Sequence, residues 1–243
     1  GIGGLGALFA FSPFYKLNLI IGWKFSFFIF SFLVLAVIFY LTILLKYEKD
    51  DRDKNKVINS NLHTFKVIFF NKNFLMILPM SIFGYASFAF LLTLWGNQYL
   101  SLNQSLSKVQ ITYILMFTAL FWTLGSIFFG FINQKISMNK PLVIASAMAM
   151  IVLLFLLALL KLNNYYIILL IFCFYGFLGA FTLVVLDHYR KLFDKDIFGK
   201  VITSANLFNF GGVFFIQWIT GVIIEYSTAV LDIPLKKAFS ISF

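Results

Sequence analysis

Pro141-Leu-Val-Ile-Ala-Ser-Ala-Met-Ala-Met150-Ile-Val-Leu-Leu-Phe-Leu-Leu-Ala-Leu-Leu160-Lys161 holds no charged side chain before its closing lysine. As a helix rising 1.5 Å per residue, a run of this length crosses a hydrocarbon core of ~30 Å. It is apolar on every face, which suits lipid and not a water-exposed surface. Working outward, similar runs recur at about 25–46, 74–96, 110–132, 165–186 and 201–224, with a shorter candidate at 2–20. None alternates as a barrel wall does, and an open strand would leave its backbone groups unpaired in lipid. The pattern predicts an all-α integral membrane protein.

Composition agrees. Of 243 residues, 61% are hydrophobic and 12% charged, about half the charged share of a soluble domain. The net charge of +10 does not describe a nucleic-acid surface, because the basic residues sit in short loops without a basic face or interleaved aromatic side chains. Cys173 is the single cysteine, so one chain can form neither a disulfide nor a cysteine-rich zinc site. It reads as a small buried residue.

One polar linker interrupts the runs. It extends from Lys46 to Asn73, contains Tyr47-Glu-Lys-Asp-Asp-Arg-Asp-Lys-Asn-Lys56 and carries His63. Mixed charge of this kind marks a solvated connection. If the linker is cytoplasmic, the loops on its side hold thirteen of the 19 lysines and arginines and the opposite loops hold six, the bias that orients multi-pass proteins.

Motifs for chemistry are absent or lack their context. Gly1-Ile-Gly3-Gly-Leu-Gly6 matches the letters of a dinucleotide fingerprint, but no strand precedes it and no acid follows about twenty residues later. Small residues for close helix packing are the better reading, there and at Gly176, Gly179, Gly211 and Gly212. His63 and His188 are expected in loops, and no nucleophile–base set or Walker-type loop is found, so the chain is read as neither an enzyme nor an ATP-driven pump, with no metal or cofactor. The membrane interior of the six long spans contains no lysine, arginine, aspartate or glutamate, which leaves neutral polar and aromatic recognition.

Gly22-Trp-Lys-Phe25, between two runs, resembles the Gly-Trp-Arg signature that opens the sixth helix in many members of the major facilitator superfamily. Further similarities follow in order: the charged loop, a helix ending Trp95-Gly-Asn-Gln-Tyr-Leu100, and a Gly130 to Pro141 segment joining two helices. Gly199-Lys-Val-Ile-Thr-Ser-Ala-Asn206-Leu-Phe-Asn209-Phe-Gly211-Gly212, with Gln217 and Gly221, is similar to the eleventh helix of bacterial members. The resemblance implies a helix bundle running from part of the fifth helix to the start of the twelfth. Residues 1–46 would end the amino-terminal bundle, 47–73 form the cytoplasmic central linker, and 74–243 form a truncated carboxy-terminal bundle. One motif departs: the family's Gly-x-x-x-Asp-Arg-x-Gly-Arg-Arg reads Gly130-Phe-Ile-Asn-Gln134-Lys135-Ile-Ser-Met-Asn-Lys140, glutamine standing for the acid. That weakens the charge latch expected at the cytoplasmic gate.

The implied function is secondary transport of a small organic solute by alternating access, in the inner (plasma) membrane. The chain opens without methionine inside an apolar stretch and closes as another begins, so the expectation is a portion of a carrier. A second chain or a further copy would then supply the missing helices, and a non-transporting remnant is the competing reading. Helical spacing puts Ser81, Tyr85 and Trp95 on one face of the seventh helix, Tyr175 and Thr182 on one face of the tenth, and Asn206, Asn209 and Gln217 on one face of the eleventh. These are the substrate-pathway candidates, against a bland role in interhelical packing. Gly130, Gln134, Lys135, Lys140, Asp187 and Arg190 are the gating-loop candidates. For Asp187-His188-Tyr189-Arg190 the plainer role is a membrane-boundary anchor.

Overall fold

The computed structural model describes residues 6, 11–47, 61–102, 104–136, 139–159 and 164–242. Most of the charged linker, Gly1 and Gly3 of the opening glycine pattern, Ser137, Met138 and Lys161 lie outside the described residues. Among the described residues the regular structure is helical: α1 (Ser12–Tyr47), α2 (Asn61–Phe69), α3 (Lys72–Leu92), α4 (Trp95–Leu102), α5 (Lys108–Ile136), α6 (Asn139–Leu159), α7 (Tyr165–Gly179), α8 (Thr182–Leu192), α9 (Lys195–Ala229) and α10 (Leu235–Ser242). Six stretches of the described residues are long and apolar enough to span a membrane, and each overlaps one of the expected runs.

α1 is two helices in one. Gly22 has φ 79° and ψ 159°, a conformation that side chains with a Cβ avoid and glycine adopts freely. The chain reverses there, since the ring of Phe14 lies 5.2 Å from Phe30 and 6.1 Å from Phe27. Sixteen residues of straight helix would hold Phe14 and Phe30 ~24 Å apart. Ser26, fully buried, donates to the Gly22 carbonyl at 3.0 Å and secures the corner.

Local signals start the other helices. Asn71 caps α3 by accepting from the Asn73 and Phe74 amides, and Asn164 caps α7 through the Tyr166 amide. Ser107 and Gln110 form a reciprocal capping box at the head of α5. α3 ends at Thr93, and α4 begins two residues later with Gly96 pressed against the Leu91 carbonyl. The expected 74–96 run is therefore broken before Trp95. The tenth-helix run is also interrupted, at Ala180–Phe181, where bonds from the amides of Ala180, Phe181, Leu183 and Val184 skip back three residues. This tightened turn keeps those backbone groups paired across the break.

Packing is densest between α5 and α7 and between α3 and α9. Glycines permit the first: Gly176 abuts the Thr118 carbonyl and Gly125 abuts the Phe177 carbonyl, with no room for a Cβ at either. In lipid such backbone approach replaces the hydrophobic drive that assembles soluble helices. Gly84 and Gly179 accept the rings of Phe181 and Phe88 between α3 and the broken span. At the linker end, Phe74 of α3 meets Tyr189 of α8, Phe193 and Phe208 of α9, and α2 is tied in through Phe69 against Phe208. At the opposite end Trp95 packs on Phe239 of α10 at 5.5 Å.

Two sequence expectations change here. His63 lies in α2 and His188 in α8, so neither is in a loop, and Asp187 to Arg190 are helical as well. In α8 the helix continues through these polar residues because it buries one side, as at Tyr189, and leaves the other exposed, as at Arg190.

Candidate functional site

Polar contacts between helices gather on α3. Ser81 and Asn209, both buried, stand 2.8 Å apart across the α3–α9 interface. With its amide nitrogen turned toward Ser81, Asn209 also donates to the Ser81 and Ala205 carbonyls at 3.2 and 3.3 Å, the orientation that matches donors with acceptors. The hydroxyl of Tyr189, a fully buried residue of α8, reaches toward Ser81 without completing a hydrogen bond. One turn beyond Ser81, Tyr85 rests its ring on Phe210 of α9.

The upper part of α3 is tied to both neighbours. Tyr175 of α7, fully buried, donates to the Ser87 carbonyl at 2.7 Å. Gln217 of α9 donates to the Thr93 hydroxyl at 2.8 Å, where α3 ends. Thr182 is buried at the head of α8 and donates back to the Gly179 carbonyl, so it serves the break between α7 and α8. Asn206 is half-buried on α9. Trp95 does not share the face of Ser81 and Tyr85: the break carries it onto α10, with its indole N–H buried and without a hydrogen bond.

At the linker end, Asn133 of α5 donates to an Asp187 carboxylate oxygen of α8 at 2.7 Å, and Lys191 lies 3.1 Å from the same oxygen. Gly130, Gln134, Asp187 and Lys191 line a cavity of about 260 Å³. Three gating-loop candidates thus meet. Lys135 turns away to lie over the Phe131 ring, 4.5 Å from its centroid, and Arg190 is exposed. Lys140 borders a different cavity of about 330 Å³ with His188, Asn73 and Met80.

Sequence reasoning missed Asn133, Lys191, Thr93 and the Ser87 carbonyl. Asn133 sits beside Gln134 in the quoted motif, but its partner is 54 positions away and no periodicity links them. A main-chain acceptor such as Ser87 has no side-chain signature at all. Among the described residues no group of three histidine, cysteine, aspartate or glutamate side chains is placed to hold a metal ion. The chemistry available along the buried seam is hydrogen bonding by neutral hydroxyls and amides.

A family profile described as Major Facilitator Superfamily matches residues 1–217. No curated protein and no solved structure matches the chain. The profile covers the Gly22 corner, both interrupted spans and the α3–α9 seam through Gln217, and the architecture is a polytopic helix bundle as that family requires. By profile and fold together, the chain belongs to the major facilitator superfamily, a family of membrane transporters.

Proposed function

We propose that this chain forms the carboxy-terminal part of a secondary carrier that moves a small organic solute across the cell's inner (plasma) membrane by alternating access. The carrying observation is the interruption of the 165–192 span near its middle, at Ala180–Phe181, where Gly84 of α3 receives the Phe181 ring and Gly179 receives Phe88 of α3. Interrupted helices near the bilayer midplane are where carriers of this kind place their substrates. Tyr85, Tyr175, Thr182, Asn206, Asn209 and Gln217 then edge or brace one wall of the pathway. Residues 1–46 belong to the facing bundle, completed by further chain or by a second copy. The Asn133–Asp187–Lys191 cluster closes the linker end in this reading, and no bond of substrate is made or broken.

The test is uptake of labelled sugars, amino acids and small organic acids by cells expressing the chain within its full open reading frame, with membrane insertion checked by immunoblot. A solute that accumulates above the empty-vector level, and less in Asn209→Leu, supports the proposal. An inserted chain that accumulates none of them overturns it. The competing remnant reading then stands, favoured by the uncharged Gln134 where the resemblance expects an acid.

A further inference from the structure

The end of the bundle opposite the linker holds a polar cavity. It measures about 280 Å³ and forms where three elements meet: Tyr15 from α1, Asn97, Gln98 and Ser101 from α4, and Lys108 and Thr112 from α5. The polar cavity beside Gly130 sets Lys191 against Asp187, whereas here hydroxyls, amides and Ile111 surround a lysine with no carboxylate in the lining. The larger cavity at the linker end is walled mainly by methionine, isoleucine, valine and leucine.

We infer that this cavity is an outer binding site for a small organic anion, with Lys108 as the charge that selects it. The inference rests on the carrier reading above and names its substrate class. Among the described residues, Lys108 is the only ionisable group other than the Tyr15 phenol in the lining, and no aspartate or glutamate borders the cavity. The acids described on that side, Glu225 and Asp232, belong to the last turns of α9 and the loop after it. Lys108 is also the first residue of α5, so the partial positive charge of the helix start has the same sign as the ammonium. A cation would meet repulsion from both.

The neutral groups complete the match. The Thr112 hydroxyl is spent on the Lys108 carbonyl at 2.8 Å, which leaves the Asn97 and Gln98 amides and the Ser101 and Tyr15 hydroxyls to orient a ligand. Amide N–H and hydroxyl donors serve a carboxylate directly, and their oxygens accept from a hydroxyl beside it. The volume lies just under the usual range for ligand pockets, which suits a small acid and not a peptide or a large drug.

The test uses the full chain in lipid nanodiscs and measures equilibrium binding of lactate and benzoate against their neutral amides, lactamide and benzamide, in the wild type, Lys108→Gln and Lys108→Arg. The expected result is at least about tenfold tighter binding of each acid than of its amide, a preference lost in Lys108→Gln and retained in Lys108→Arg. Lys135→Gln, at the other end, should leave the preference unchanged. Thermal melting followed through Cys173 establishes that the variants remain folded. Equal binding of acids and amides, no acid binding, or an acid preference that survives in folded Lys108→Gln overturns the inference. Binding requires no transport, so a chain that takes up solute yet shows no acid preference refutes this site alone, and one that binds acids but moves nothing refutes the carrier reading alone.

Discussion

The second half of α1 and the span from Tyr165 to Leu192 are both strongly apolar and both long enough to cross a membrane, yet their environments are opposite. None of the core of the α1 span is buried by protein, whereas more than half of the 165–192 window is. Hydropathy therefore names the solvent and not the neighbour. The difference lies in the small residues: Gly176 and Gly179 let α7 touch the backbone of α5 and the Phe88 ring of α3, while 27–44 contains no glycine and is dominated by phenylalanine, leucine, isoleucine and valine. Bulky side chains gain little by leaving lipid for protein, and backbones that cannot approach lose the dispersion contacts that hold transmembrane helices together.

The largest expected effect that tests this contrast is Gly176→Val. Its side chain would drive into the Thr118 carbonyl, a backbone atom that cannot swing aside, and should destabilise the bundle by about 3 kcal/mol. Cys173, buried on the same helix, is a built-in reporter: a fluorogenic maleimide labels it on melting, and the variant should melt well below the wild type. Unchanged melting would remove the small-residue explanation.

A second substitution probes the α3–α9 seam. Asn209→Ala leaves Ser81 without its partner and should cost about 1–2 kcal/mol, read by the same melting assay. Asn206→Ala, a half-buried position on the same helix, should cost less than half as much, and equal losses would mean that the seam contributes no specific bond.

At the far end, Tyr99 donates to the Leu157 carbonyl at 2.6 Å and accepts from Gln104. Tyr99→Phe should lower stability by about 1 kcal/mol, and Gln104→Ala added to that variant should cost less than it does in the wild type. Additive losses would argue against the shared hydroxyl.

The smallest effects belong to groups exposed in this chain. Asp187→Asn retains a hydrogen-bond acceptor for Asn133 and loses the partly exposed Lys191 pair, for a change of about 0.5 kcal/mol or less. Phe32→Ala, on the exposed face of α1, should fall within about 0.5 kcal/mol. A large loss there, measured on this chain alone, would show that the α1 span packs against the rest of the chain, and would erase the contrast from which these comparisons start.

Parts of the candidate site were legible before the structure. Asn209 and Gln217 were picked out by helical spacing, and both bond α3, because a polar side chain on an apolar helix needs an acceptor inside the protein. Trp95 was misplaced because spacing assumes a continuous helix, and the break at Thr93 arises from local geometry around Gly96 that composition does not reveal. Asp187 stood out as part of a polar cluster, but its helical setting and its tie to Asn133 depend on α5 and α8 lying side by side.

From the sequence alone came the membrane as solvent, the all-helical class, the uneven charge of the loops and the resemblance to a transporter family, since each follows from the cost of placing backbone and charge in hydrocarbon. The reversal at Gly22, the two interrupted spans, the α3–α9 seam and the polar cavity around Lys108 required the tertiary structure. They depend on which helices touch, and that is decided by side-chain shape and backbone approach among residues far apart in the chain.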